Sequence, residues 1–111
     1  KVSYAQDLAG HVLTGALPLE ALPDDDEEAV RLLSSVRGLG RWSAEIYLLF
    51  AEGRADAFPA GDLAVQVQAG RMFLDGARPA EKPLRALAEG WRPHRGVAAL
   101  FLWHCYNAPP L

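Results

Sequence analysis

Two short stretches carry residue types whose spacing could do chemistry. The first is Val36-Arg37-Gly38-Leu39-Gly40, in which two glycines bracket one apolar residue just ahead of a helix-forming run. Glycine removes the side-chain barrier to unusual dihedrals and lets another backbone come close. The first turn of the next helix offers N–H groups with no partner inside the helix, and such a mouth attracts phosphate. Backbone donors of this kind hold a nucleic-acid strand without reading its bases, and Arg37 and Arg41 flank the turn with positive charge. The same residues also suit an ordinary turn between two helices. The second stretch ends in Asp62, which follows a loop containing Pro59 and Gly61 and precedes an apolar run. An aspartate there is the expected N-cap of a helix; read functionally, it is a carboxylate fixed at a helix mouth.

Helices must position both. Ala5, Leu8, Ala9, Val12 and Leu13 recur at three- and four-residue steps up to Gly15, a helical pattern already running at Lys1, so this helix is expected to start before the sequence does. After an apolar link, Leu17 to Leu22, and the break at Pro23, Asp24 and Glu27 fit a capping pair for a second helix ending near Ser34. The acidic run from Asp24 to Glu28 suits the positive end of that helix dipole. The hairpin, about residues 36–41, leads into a third helix from Arg41 to about Gly53, and the Gly/Pro loop with its aspartate occupies 54–62. Beyond Asp62, Val65-Gln66-Val67 alternates like a strand, but a lone strand would have no partner, so a helix through Met72 is predicted. A helix around Pro83 to Glu89, a break at Trp91-Arg92-Pro93 and a nearly continuous apolar helix from Val97 to Tyr106 complete the chain. The last of these is too apolar all round to be exposed. The fold class is all-α, a bundle of five or six helices around one core.

In combination the two stretches become recognisable. Val36-Arg-Gly-Leu-Gly-Arg-Trp-Ser-Ala-Glu, followed by Ala57-Phe-Pro-Ala-Gly-Asp-Leu-Ala, resembles the helix-hairpin-helix, Gly/Pro-loop, Asp superfamily of DNA base-excision glycosylases. The Gly-Arg-Trp-Ser-Ala form, with the later Trp91-Arg-Pro-His-Arg and Ala98-Ala-Leu-Phe-Leu-Trp, looks most like the DNA-3-methyladenine glycosylase II branch. The resemblance covers essentially the whole chain. It implies an all-α fold, duplex DNA containing alkylated bases as the partner, and hydrolysis of the N-glycosidic bond in base-excision repair. It implies Asp62 as the catalytic carboxylate, and DNA-backbone contacts from Gly38, Leu39, Gly40, Arg41 and Ser43. Bifunctional members carry a lysine nucleophile where this chain has Trp42, so a monofunctional hydrolase is expected. Trp103 matches an aromatic of the family's pocket wall, and Trp42 is a candidate to line the pocket because an aromatic face holds a flipped cationic alkylpurine, with burial in the core as the competing account of each. Ile46 stands where some relatives place a further pocket aromatic, and Tyr47 is expected to face elsewhere on its helix. No cofactor is implied beyond a monovalent cation at hairpin carbonyls when DNA is bound. In this family the hairpin lies in the second part of a longer chain, so the 111 residues are expected to be a C-terminal fragment whose N-terminal part completes the groove.

Composition narrows the alternatives. The chain is 50% hydrophobic and 23% charged, which matches an ordered globule of one-domain size. Its net charge is −3, yet five of the fourteen acidic residues sit together at 24–28, and residues 29–111 hold ten basic against seven acidic side chains, which leaves room for a basic face. The single cysteine, Cys105, excludes an internal disulfide and an iron-sulfur cluster of four cysteines. His11, His94, His104 and Cys105 match no zinc spacing, so no metal site is expected from side chains. With no signal-peptide pattern and no apolar run of membrane-spanning length, the expected location is the cytoplasm, on DNA and away from membranes. The alternative function is a non-catalytic helix-hairpin-helix module that grips the DNA backbone.

Overall fold

Six α-helices make up the regular structure, with no strand among the described residues. The structure, a computed structural model, describes residues 2–15 and 17–108, and the side chain of Val2 is not among what it describes. In order the helices are α1 (Val2–Leu13), α2 (Asp26–Ser34), α3 (Arg41–Phe50), α4 (Leu63–Phe73), α5 (Glu81–Ala88) and α6 (Arg95–Asn107). A single 3-10 turn, Glu89–Trp91, joins α5 to the break before α6. The stretch around Val65 is helical, as the lack of a partner strand required.

The α2 cap falls one residue later than its capping pair suggested. Asp25, in extended conformation, accepts a hydrogen bond from Glu28 N at 3.0 Å, so the pair is Asp25 and Glu28 rather than Asp24 and Glu27. With three acids in a row, either register satisfies the local rule, and packing chose the one that buries Ala29, Val30 and Leu33. The acidic run also does more than balance a dipole. Arg54 donates to Asp26 Oδ1 at 3.1 Å and to the Asp24 carbonyl at 3.2 Å, and Arg41 pairs with Glu27.

α2 packs on α3, and α4 on α6. One apolar core joins the two pairs, with Leu33, Leu48, Phe58, Val65, Leu84 and Leu102 among its buried side chains. Among the described residues, Glu45 is the one charged residue buried with it. Arg85 meets both carboxylate oxygens, at 2.8 and 3.0 Å, and also donates to the Phe58 carbonyl at 3.2 Å. Burial pushes the Glu45 carboxyl above its ordinary range, opposed by hydrogen bonding from Arg85.

The all-round burial expected of the last helix does not hold. Gly96, Ala99 and Leu102 are buried, but Val97 and Phe101 are more than half exposed and Leu100, Trp103 and Tyr106 are exposed as well. The described residues cover only the stripe of α6 that faces α4 and the loop before it, so the rest of its apolar surface lies open. No helix among the described residues is long and apolar enough to cross a membrane.

Candidate active site

The hairpin is built as its sequence required at one glycine and more freely at the other. Gly38 sits at φ +92°, a backbone that side chains rarely adopt, and Tyr4 lies across it so closely that an added Cβ would be 2.7 Å from the ring. Gly40 has an ordinary φ of −86° and nothing within 4 Å of where its Cβ would stand. It is the N-cap of α3 and supplies no side-chain cap, so the first amides of α3 have no side-chain partner there. The fold itself makes no demand for glycine at position 40; the open space suits a close-approaching backbone.

The charges beside the hairpin are engaged. Arg37 pairs with Asp7 at 2.7 Å, while Arg41 pairs with Glu27 and lies 3.3 Å from Glu45. Hydrogen bonding to Arg41 holds the Glu27 carboxyl below its usual range. Sequence reading placed both arginines as positive charge flanking the turn, and these long-range partners were invisible to it. Leu39 packs against the core, and Ser43 borders an apolar cleft beside Leu39 and Tyr47. Tyr47 thus faces away from Asp62, as expected from its place on the helix.

Asp62 caps α4. Its backbone is extended, and Oδ2 accepts from Val65 N at 3.1 Å. The other oxygen, Oδ1, accepts from the indole N–H of Trp42 at 3.0 Å. Asp62 lines a narrow apolar cleft with a cavity volume of about 10 Å³, whose walls include Ile46, Phe50, Leu100 and Trp103. Among the described residues that line it, Asp62 is the only charged one. Trp103 is 41% exposed and meets Phe50 with ring centroids 5.2 Å apart. Trp42 is 48% exposed, so it is not core, and it is absent from the cleft walls. Asp62, Trp103 and Ile46 thus converge on one cleft, with Trp42 attached through Asp62. Phe50 went unremarked as a site residue; its position one helical turn after Ile46 was the available signal.

The loop that carries Asp62 is pinned along its length. Asp56 accepts from the backbone N–H of Arg95 at 3.0 Å and from its guanidinium at 2.7 and 2.9 Å. Hydrogen bonding from the Arg95 side chain is the main reason its carboxyl lies below the usual range. Gly96 brings the start of α6 against the loop: a Cβ there would stand 2.7 to 2.9 Å from the carbonyls of Arg54, Ala55 and Ala57. Phe58 is buried edge-on to Trp91, and Gln66 donates to the Ala60 carbonyl at 2.8 Å. Gly96 is a positioning residue that sequence reading missed, because its partners lie some forty residues earlier.

No protein-family model matches the chain. Individual proteins do. It is 33% identical over 104 residues to YfjP of Bacillus subtilis (strain 168), a protein named only provisionally as a DNA-3-methyladenine glycosylase; the match covers 93% of this chain and 36% of that one. It is also 33% identical over 103 residues to DNA-3-methyladenine glycosylase 2 of Escherichia coli (strain K12), covering 93% of this chain and 34% of the relative. The chain spans about a third of the length of these curated relatives. Among solved structures, Schizosaccharomyces pombe 3-methyladenine DNA glycosylase (Mag1) in complex with abasic DNA superposes with a TM-score of 0.85 at 27% identity, over 95% of this chain and 52% of that one. The resemblance first carried by hairpin, loop and aspartate is thus matched by relatives in both sequence and fold: this chain belongs to the helix-hairpin-helix/Gly-Pro-Asp DNA glycosylase superfamily, in its DNA-3-methyladenine glycosylase II branch.

Proposed function

We propose that this chain carries the catalytic half-site of a monofunctional DNA glycosylase, which hydrolyses the N-glycosidic bond of flipped alkylated bases such as 3-methyladenine in duplex DNA. The observation that carries the reading is the position of Asp62: on a helix N-terminus, with Oδ1 held by the Trp42 indole, and the one charged residue among the described residues that line an apolar, partly aromatic cleft. Cleavage of the bond to a damaged purine passes through a sugar cation, and a fixed carboxylate beside it stabilises that charge. At about 4 Å and an effective dielectric near 20 such a pair is worth roughly 4 kcal/mol, about a thousandfold in rate. Trp103 and Phe50 offer aromatic faces to a cationic alkylpurine. The open approach at Gly40 and the start of α3 suits a DNA phosphate held by main-chain donors, with Gly38, Leu39, Arg41 and Ser43 shaping the same turn. The reading includes a monovalent cation held at hairpin carbonyls when DNA is bound.

The test is release of 3-methyladenine from methylated duplex DNA by the protein and by its Asp62→Asn variant. Release that falls by about a thousandfold, with DNA binding retained, supports the reading. Salt-dependent DNA binding with no release by either protein leaves the alternative, a backbone-gripping module in which Asp62 is a helix cap alone. Position 42 holds no amine nucleophile, so borohydride should trap no covalent DNA adduct.

A further inference from the structure

We infer that Trp42 is a positioning residue for Asp62, acting through its indole N–H. This rests on the glycosylase reading of Asp62. Nearly half of the Trp42 side chain is exposed, so its N–H could be satisfied by water at no cost. It is instead aimed at a carboxylate oxygen twenty residues further along the chain. Its Cβ lies 3.9 Å from where a Gly61 side chain would begin, so the ring sits over the loop beside the aspartate.

The two oxygens of Asp62 have different tasks in this arrangement. Oδ2 is committed to Val65 N as the cap of α4. A single bond of that kind leaves the broad terminal torsion of an aspartate loosely held. The indole bond to Oδ1 closes the second side, so both torsions are set before substrate arrives. Each carboxylate oxygen accepts more than one hydrogen bond, so Oδ1 keeps a lone pair for the sugar or for a water. A ring of the same size without the N–H would preserve the packing and lose the orientation.

Trp42→Phe makes that separation, and two readouts distinguish this inference from the activity it rests on. In proton–nitrogen correlation spectra of the 111-residue chain, the Trp42 indole resonance should move with the titration of one carboxyl, and the movement should vanish in Asp62→Asn. An indole resonance that is flat through the carboxylate range, or that moves equally in Asp62→Asn, overturns the inference whether or not the chain releases base. In single-turnover release at saturating DNA, Trp42→Phe should slow the step about tenfold or more, the weight of one charge-assisted hydrogen bond. Affinity for abasic duplex should be unchanged, and the substitution should cost nothing further in the Asp62→Asn background. Equal slowing in both backgrounds, or a loss confined to DNA affinity, assigns Trp42 to substrate contact and overturns the inference. If Asp62→Asn itself releases base at the wild-type rate, the glycosylase reading fails while the indole titration still decides whether the two side chains are coupled.

Discussion

Substituting Gly96 by alanine tests the docking that places the candidate carboxylate. The new methyl carbon would stand 2.7 Å from the Ala55 carbonyl oxygen, 2.8 Å from that of Ala57 and 2.9 Å from that of Arg54. All three are backbone atoms, so no side chain can swing aside. Helix and loop must part by 0.3 Å at the tightest contact to reach the 3.0 Å limit, and by 0.7 Å to reach ordinary contact at 3.4 Å. Overpacking of this sort costs about 1–3 kcal/mol. The separation also stretches Val97 N to Ala55 O, now 3.2 Å, and Arg95 N to Asp56 Oδ1, now 3.0 Å, each worth about 0.5–1.5 kcal/mol. Gly96→Ala should therefore lose about 2–6 kcal/mol in all, a large share of a domain's stability of about 5–15 kcal/mol. Urea unfolding followed by circular dichroism should show the midpoint falling by about 1–3 M at an ordinary slope. The control is Gly10→Ala in α1, where nothing lies within 4 Å of the added carbon and alanine is favoured by about 0.5–1 kcal/mol. A Gly96→Ala midpoint equal to wild type would refute close docking of the loop on α6.

The two hairpin glycines should separate folding from binding. Gly38→Ala meets both a positive φ and the Tyr4 ring, and should cost about 1–3 kcal/mol of stability in the same unfolding assay. Gly40→Ala meets neither, so its midpoint should match wild type while its affinity for duplex DNA, read by fluorescence anisotropy, drops severalfold; unchanged affinity would remove Gly40 from the proposed DNA contact. Asp56 gives a pH dependence. Its folded pKa lies below the unfolded value of about 3.9, so the unfolded chain binds the proton more readily and stability rises with pH across that window. Its contribution is complete above about pH 4 and lost as pH falls through the lowered folded pKa. The stability gap between wild type and Asp56→Asn should close on acidification, and a gap constant from pH 7 to pH 2 would show that the Arg95 pair does not perturb Asp56.

Several features were settled by residues close together in the chain. The helices around Ala5, Ala44 and Leu84 follow from local apolar spacing, and Asp62 caps α4 because an aspartate after a Pro/Gly loop meets the free amides of the next turn whatever surrounds it. The positive φ of Gly38 belongs to the same class. Even locally, degenerate signals slip: Asp24, Asp25 and Asp26 offer equivalent caps, and only burial of Ala29 and Leu33 decided for Asp25.

Tertiary structure decided how the site is wired. Arg37 and Arg41 read as positive charge flanking the turn, but Asp7 and Glu27 arrive from other segments to pair with them. The apolar face of α6 read as buried, yet the elements packed on it cover only the stripe through Gly96, Ala99 and Leu102. Trp42 read as either pocket or core; it is half exposed and so not core, and its N–H meets Asp62, on a loop held by Asp56, Arg85 and Gly96. Backbone torsions and caps answer to neighbours within a turn, so they are written in short stretches of sequence. An indole N–H finding a carboxylate twenty residues away answers to the relative placement of whole helices, which packing of the shared core sets and no short stretch encodes.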